Sequence, residues 1–158
     1  RVLFRSEQLG SLLTQRGWTV AVAESCTGGL LGSIITDVPG SSTYFLGGII
    51  AYSNTSKIDV LGVPSETIQK FGAVSDRAAI GMAVGLINNF ACDFAIAITG
   101  IAGPSGGSDA KPVGNVFIAV ATEDGEKAKE FHFKGKRQDI KKASVEAALG
   151  MACEFLAE

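Results

Sequence analysis

Histidine occurs once in the 158 residues and cysteine only three times. That is too few for most zinc sites, which gather about four such ligands. Charge of either sign is sparse, at 19% of residues, and the net charge is −2. Nucleic-acid binders usually carry a basic surplus, so nucleic acid is not an expected partner. No apolar run reaches the ~18 residues that a membrane-spanning helix needs, and no stretch has the layout of a signal peptide. Membrane contact is therefore not expected either. The chain begins at Arg1 rather than Met, as a fragment of a longer protein would. Cys26, Cys92 and Cys153 are odd in number and far apart, which fits reduced thiols in a cytoplasmic protein. Disorder is excluded by the 46% apolar content. The length suits one domain spanning 1–158. Glycine is in surplus, with 20 residues against a usual share of about 7%.

The apolar spacing predicts helices over 2–16, 27–37, about 55–61, 65–70, 75–89 and 138–157, and strands over 18–23, 48–52, 94–99, 116–122 and 127–134. Asn54 or Thr55 is the expected cap of the third helix and Ser75 that of the fifth. Phe94–Thr99 is nearly continuous in apolar residues, as a strand covered on both faces would be. Asp124-Gly125 signals a hairpin. Helices alternating with buried strands, plus one hairpin, predict a three-layer α/β/α sandwich with a mixed sheet.

Four segments could carry chemistry. Glu24-Ser25-Cys26-Thr27-Gly28-Gly29 joins a buried strand to an amphipathic helix. Ligands in open α/β sheets bind beyond the carboxyl ends of strands, and a helix N-terminus there can hold an anion or oxyanion. A capped helix with two packing glycines explains the same residues. Tyr52-Ser53-Asn54-Thr55-Ser56-Lys57 follows the next strand. A serine nucleophile needs a base. His132 lies on an alternating strand facing away from Phe131 and Phe133, whereas Lys57 can serve if burial lowers its pKa; a solvated surface lysine is the simpler reading. Thr99 to Ser108 leaves the most buried strand as a Gly-rich loop, either an anion-binding nest or a plain connection. Lys134-Gly135-Lys136-Arg137 opens the last helix; Arg137 could clamp a phosphate, or the cluster could simply be solvated.

Taken in order, AESCTGG (23–29), PGSS (39–42), YSNTSK (52–57), LGV (61–63), GAVS (72–75), TGIAGPSGG (99–107) and KPVG (111–114) closely resemble the CinA C-terminal domain family. The resemblance covers about residues 6–157. It implies a three-layer α/β/α fold and hydrolysis of the carboxamide of nicotinamide mononucleotide to nicotinate mononucleotide and ammonia. The family's serine, tyrosine and lysine fall on Ser25, Tyr52 and Lys57. Glu24, Cys26, Thr27, Gly28, Gly29, Thr99, Gly100, Gly103 and Arg137 are then expected to bind substrate. Cys26 is the rival nucleophile, because a helix N-terminus favours a thiolate. No metal or cofactor is implied, and a homo-oligomer is. The alternatives are a non-catalytic nucleotide-binding or regulatory module and a competence-related interaction domain.

Overall fold

A computed structural model describes residues 1–158. In chain order the elements are α1 (Val2–Arg16), β1 (Val20–Glu24), α2 (Leu30–Thr36), β2 (Phe45–Ile50), α3 (Asn54–Asp59), α4 (Ser65–Phe71), α5 (Asp76–Phe90), β3 (Phe94–Gly100), β4 (Asn115–Thr122), β5 (Gly125–His132) and α6 (Arg137–Ala157). A single 3₁₀ turn at Ser41–Thr43 leads into β2. The strands form one five-stranded sheet in the order β2-β1-β3-β4-β5. β1 is parallel to both neighbours, while β4 and β5 are antiparallel additions. No helix is long and apolar enough to cross a membrane.

The two faces of this sheet are built from different side chains. Alternation in β1, β3 and β4 sends Val20, Val22, Phe94, Ile96, Ile98, Ile118 and Val120 into the core beneath α1, α2 and α6. The residues between them, Ala21, Ala23, Ala95, Ala97, Ala119 and Ala121, meet Ala79, Met82, Ala83 and Leu86 of α5. Small side chains on both sides bring α5 close to the sheet. Its Gly85 in turn sits directly on the Leu61 carbonyl, where a Cβ has no room. This close approach fixes the segment that follows α3, and the Val63 N–H donates to the Lys57 carbonyl at 3.0 Å. Core packing therefore holds the backbone that carries Lys57.

Three boundaries differ from expectation in ways that matter for the site. The helix expected over 27–37 begins only at Leu30, because Gly28 and Gly29 adopt left-handed φ values of 60° and 108°. The strand expected over 48–52 runs Phe45–Ile50; it stops there because the Ala51 and Tyr52 carbonyls turn to accept hydrogen bonds from Lys57. The cap of α3 is Ser53, whose hydroxyl accepts from the Ser56 N–H, rather than Asn54 or Thr55. Ser75 caps α5 as expected, accepting from the Ala78 N–H.

Candidate active site

β1, β2 and β3 are parallel, so their carboxyl ends share one edge of the sheet. The chain passes from β1 to β2 on one side and later to β3 on the other. β1 therefore ends at the point where strand order reverses, the usual place for a ligand in such sheets. Ser25 is the first residue beyond β1, and its N–H still bonds the Ile98 carbonyl at 3.0 Å. The segment after β2, the loop after β3 and the start of α6 all reach the same edge. Together they enclose a cavity of about 310 Å³ whose walls include Ser25, Cys26, Tyr52, Lys57, Gly103 and Arg137. A larger hollow of about 480 Å³ lies between β5 and α6. Its walls hold no serine, cysteine or tyrosine, whereas the smaller cavity brings a serine within hydrogen-bond distance of a buried lysine.

Lys57 is fully buried, only 1% exposed. Its Nζ lies 2.9 Å from Ser25 Oγ, 2.9 Å from the Ala51 carbonyl oxygen and 3.1 Å from that of Tyr52. No carboxylate forms an ion pair with it; the two side-chain ion pairs of the protein are Arg1–Glu146 and His132–Glu130. Burial disfavours the ammonium and lowers the Lys57 pKa below the usual 10.5. The hydrogen-bond count fits either protonation state. In the neutral amine, two N–H groups donate to the two carbonyls and the lone pair is left for the Ser25 hydroxyl proton. In the charged form the third proton points at Ser25 Oγ instead.

Cys26 also lines the cavity, but burial pushes its thiol up to about 11. Almost no thiolate then exists near neutral pH, which opposes the activation expected from a helix N-terminus. Tyr52 lies at the cavity mouth, 60% exposed. Tyr52, expected alongside Ser25 and Lys57, touches Lys57 through its backbone rather than its phenol. The backbone carbonyl of Tyr52 holds Lys57, while its phenolic oxygen accepts from Arg137 Nη2 at 3.0 Å. Arg137 Nη1 donates to the Gly103 carbonyl at 2.6 Å. Arg137 thus bridges the Tyr52 segment and the Gly-rich loop, with no carboxylate partner.

The remaining expected residues divide into two groups. Thr99, Gly100 and Gly103 line the cavity, although the Thr99 hydroxyl is engaged by the Ala73 carbonyl at 2.8 Å. Gly100 is required by packing, since a Cβ there would lie 2.6 Å from Val116. Glu24, Thr27, Gly28 and Gly29, also expected to bind substrate, are not among the residues that line the cavity. Glu24 is 2% exposed and points into α2, accepting from Thr27 Oγ1 at 2.6 Å and from the Leu31 and Gly32 N–H groups at 2.9 Å each. The first amides of α2 are therefore satisfied internally rather than free for an anion. Gly28 and Gly29 owe their identity to the turn that lets Glu24 reach them. His132 is an exposed partner of Glu130 and does not line the cavity.

Asn54, Ala73, Val74 and Ser105 also line the cavity and were not singled out from sequence. Asn54 could have been found, since it sits in the Tyr52–Lys57 motif one residue into α3. Ala73 and Val74 carry no chemical signal and reach the site only through the Thr99 bond. No group of three or more His, Cys, Asp or Glu side chains could hold a metal ion.

Known proteins share both the sequence and this architecture. A family model described as "CinA C-terminal domain" matches residues 4–156. A CinA-like protein of Desulfotalea psychrophila is 46% identical over 151 residues, covering 96% of this chain and 37% of its own length. A CinA-like protein of Fervidobacterium nodosum is 50% identical over 140 residues, 89% of this chain and 34% of its own. The chain thus spans about a third of these curated relatives. The crystal structure of a competence/damage inducible protein from Agrobacterium tumefaciens superposes with a TM-score of 0.94 at 39% identity, covering 99% of this chain and 96% of that one. A CinA superfamily protein from Klebsiella pneumoniae gives 0.96 at 30% identity, covering 99% and 98%. The chain belongs to the CinA C-terminal domain family.

Proposed function

We propose that the chain is an amidohydrolase that converts nicotinamide mononucleotide to nicotinate mononucleotide and ammonia, with Ser25 as nucleophile and Lys57 as base. The observation that carries this reading is the 2.9 Å contact between Ser25 Oγ and a buried Lys57 that has no carboxylate partner. A hydroxyl beside a neutral amine is an activated nucleophile. Keeping a lysine in that state costs stability, and nothing in the packing requires it.

In this mechanism the Ser25 hydroxyl proton passes to Lys57 Nζ as Oγ bonds to the carboxamide carbon. The carbonyl oxygen gains the negative charge. The N–H group of Cys26, which lines the cavity and makes no hydrogen bond to another backbone group, is the candidate donor to it. Lys57 then gives its proton to the departing nitrogen, which leaves as ammonia. The resulting ester on Ser25 is attacked by water. Lys57 accepts a proton from that water and returns it to Ser25 Oγ as the carboxylate product departs. Arg137 at the mouth is the cation for the substrate phosphate.

A second reading, a competence-related or nucleotide-binding module without turnover, is favoured by the name of the Agrobacterium relative. The two are separated by assaying ammonia release from nicotinamide mononucleotide. Release by the unmodified chain that is lost in both folded Ser25→Ala and Lys57→Ala supports the amidohydrolase. Nucleotide binding with no release supports the module.

A further inference from the structure

Most polar side chains of the Ser25 cavity are already engaged within the protein. Ser25 and Lys57 bond each other, Thr99 bonds the Ala73 carbonyl, and Arg137 bonds the Tyr52 phenol and the Gly103 carbonyl. Asn54 and Ser105 line the same cavity, and both are exposed. Neither is used to hold the backbone around it. Asparagine is a strong helix cap, yet α3 is capped by Ser53, whose hydroxyl meets both the N–H and the hydroxyl of Ser56. In the Gly-rich loop it is Ser108, not Ser105, whose hydroxyl accepts from the Lys111 N–H. An amide and a hydroxyl are thus left on the cavity wall, each able to donate and to accept.

Their places in the chain say which part of a ligand they meet. The buried end of the cavity is Ser25 and Lys57, 7% and 1% exposed, where the proposed reaction puts the carboxamide. The open end is Tyr52 and Arg137, where it puts the phosphate. Asn54 stands three residues before Lys57 in α3, a spacing that makes the two neighbours on one helix face. Ser105 stands two residues after Gly103, whose carbonyl holds Arg137. One free group is therefore beside the base and the other beside the cation. In a mononucleotide the part between the pyridine ring and the phosphate is the ribose, whose two adjacent hydroxyls each donate and accept. We propose that Asn54 and Ser105 bind the ribose diol of a nicotinamide nucleotide and so select ribonucleotides over deoxy analogues. This rests on the amidohydrolase reading for its choice of ligand, and it deepens that reading by naming the side chains that recognise the sugar.

The test is calorimetric titration of the Ser25→Ala protein with nicotinamide mononucleotide and with its 2′,3′-dideoxy analogue. The same titrations are run after adding Asn54→Ala or Ser105→Ala, with circular dichroism as the check on folding. The expected result is about fivefold weaker mononucleotide binding for each added substitution, as for loss of one neutral hydrogen bond. The dideoxy analogue should bind more weakly from the start and lose nothing further from either substitution. Equal loss for both ligands, loss from only one of the two substitutions, no loss at all, or no mononucleotide binding overturns the proposal. The amidohydrolase reading fails separately. If the unmodified chain releases no ammonia while binding still depends on Asn54, Ser105 and the diol, the sugar site stands and the chemistry does not. If ammonia is released but neither substitution discriminates between the ligands, the chemistry stands and the sugar site does not.

Discussion

Two long ionisable side chains, Glu24 and Lys57, are buried next to Ser25, one in sequence and one in space, and they are treated in opposite ways. Glu24, just before it, has three hydrogen-bond donors aimed at its carboxyl group: a hydroxyl and two amides of α2. Lys57, held beside it by α3, has two backbone carbonyls, a serine hydroxyl and no acid. The carboxyl group stitches a strand to a helix. The amine is buried so that its charged form is disfavoured. The Glu24 pocket is a structural joint, and in the proposed mechanism the Lys57 pocket is a prepared base.

Substitutions at the two pockets should therefore fail in different ways. The largest expected effect is on turnover. Ser25→Ala and Lys57→Ala should each lower kcat by about 10³-fold or more, as loss of a nucleophile or its base does, with circular dichroism unchanged. Next is stability at the other pocket. Glu24→Ala leaves the Thr27 hydroxyl and the Leu31 and Gly32 amides without their partner, at about 1–3 kcal/mol for a buried unsatisfied group. Urea unfolding should show a lowered midpoint with an unchanged slope. If Glu24→Ala instead leaves stability intact and abolishes binding, the contrast is wrong.

Lys57→Met sharpens the comparison from the other side. Because burial lowers the folded-state pKa of Lys57 below 10.5, the unfolded chain binds more protons between the two values, so this lysine costs stability. The cost is fully present below the folded pKa and fades as pH rises toward 10.5. Lys57→Met should thus be inactive yet more stable than the parent at neutral pH, with the difference shrinking on the alkaline side in thermal melts. For the parent, kcat/KM should rise with pH as Lys57 loses its proton and level off above its lowered pKa. A rate that falls over that range would mean the ammonium is the working form.

Smaller effects are expected at the neighbours. Tyr52→Phe removes the acceptor for Arg137 but keeps the carbonyl that holds Lys57, so KM should rise by less than about tenfold with kcat little changed. Cys26→Ala should cost least, with kcat within about twofold, because a thiol raised to about 11 is not the nucleophile at neutral pH. A loss there as deep as that of Ser25→Ala would reverse the assignment.

Much of this was legible in the sequence. The nearly continuous apolar run Phe94–Thr99 announces a strand buried on both faces, and the motif order carries the family. The sequence also offers Ser25 and Lys57 as reactive types. Their meeting depends on β1 and β2 being parallel neighbours, which no local pattern states. The contacts of Glu24 with α2 were not legible, because an acidic residue ahead of a Gly-Gly turn looks like part of a ligand loop. Only the positive φ values of Gly28 and Gly29 show the chain curling back so that the carboxyl group caps α2. The partner of the Tyr52 phenol was not legible for a related reason, since Arg137 lies 85 residues away.

The central claim is that Ser25 carries the acyl group and Lys57 drives its transfer. It is tested most directly by quenching a nicotinamide mononucleotide reaction in acid and locating any covalent adduct by peptide mass spectrometry. The expected result is a nicotinoyl ester on the peptide bearing Ser25, placed on that residue by fragmentation and missing from Lys57→Met. An adduct on Cys26, or undiminished adduct in Lys57→Met, would contradict it.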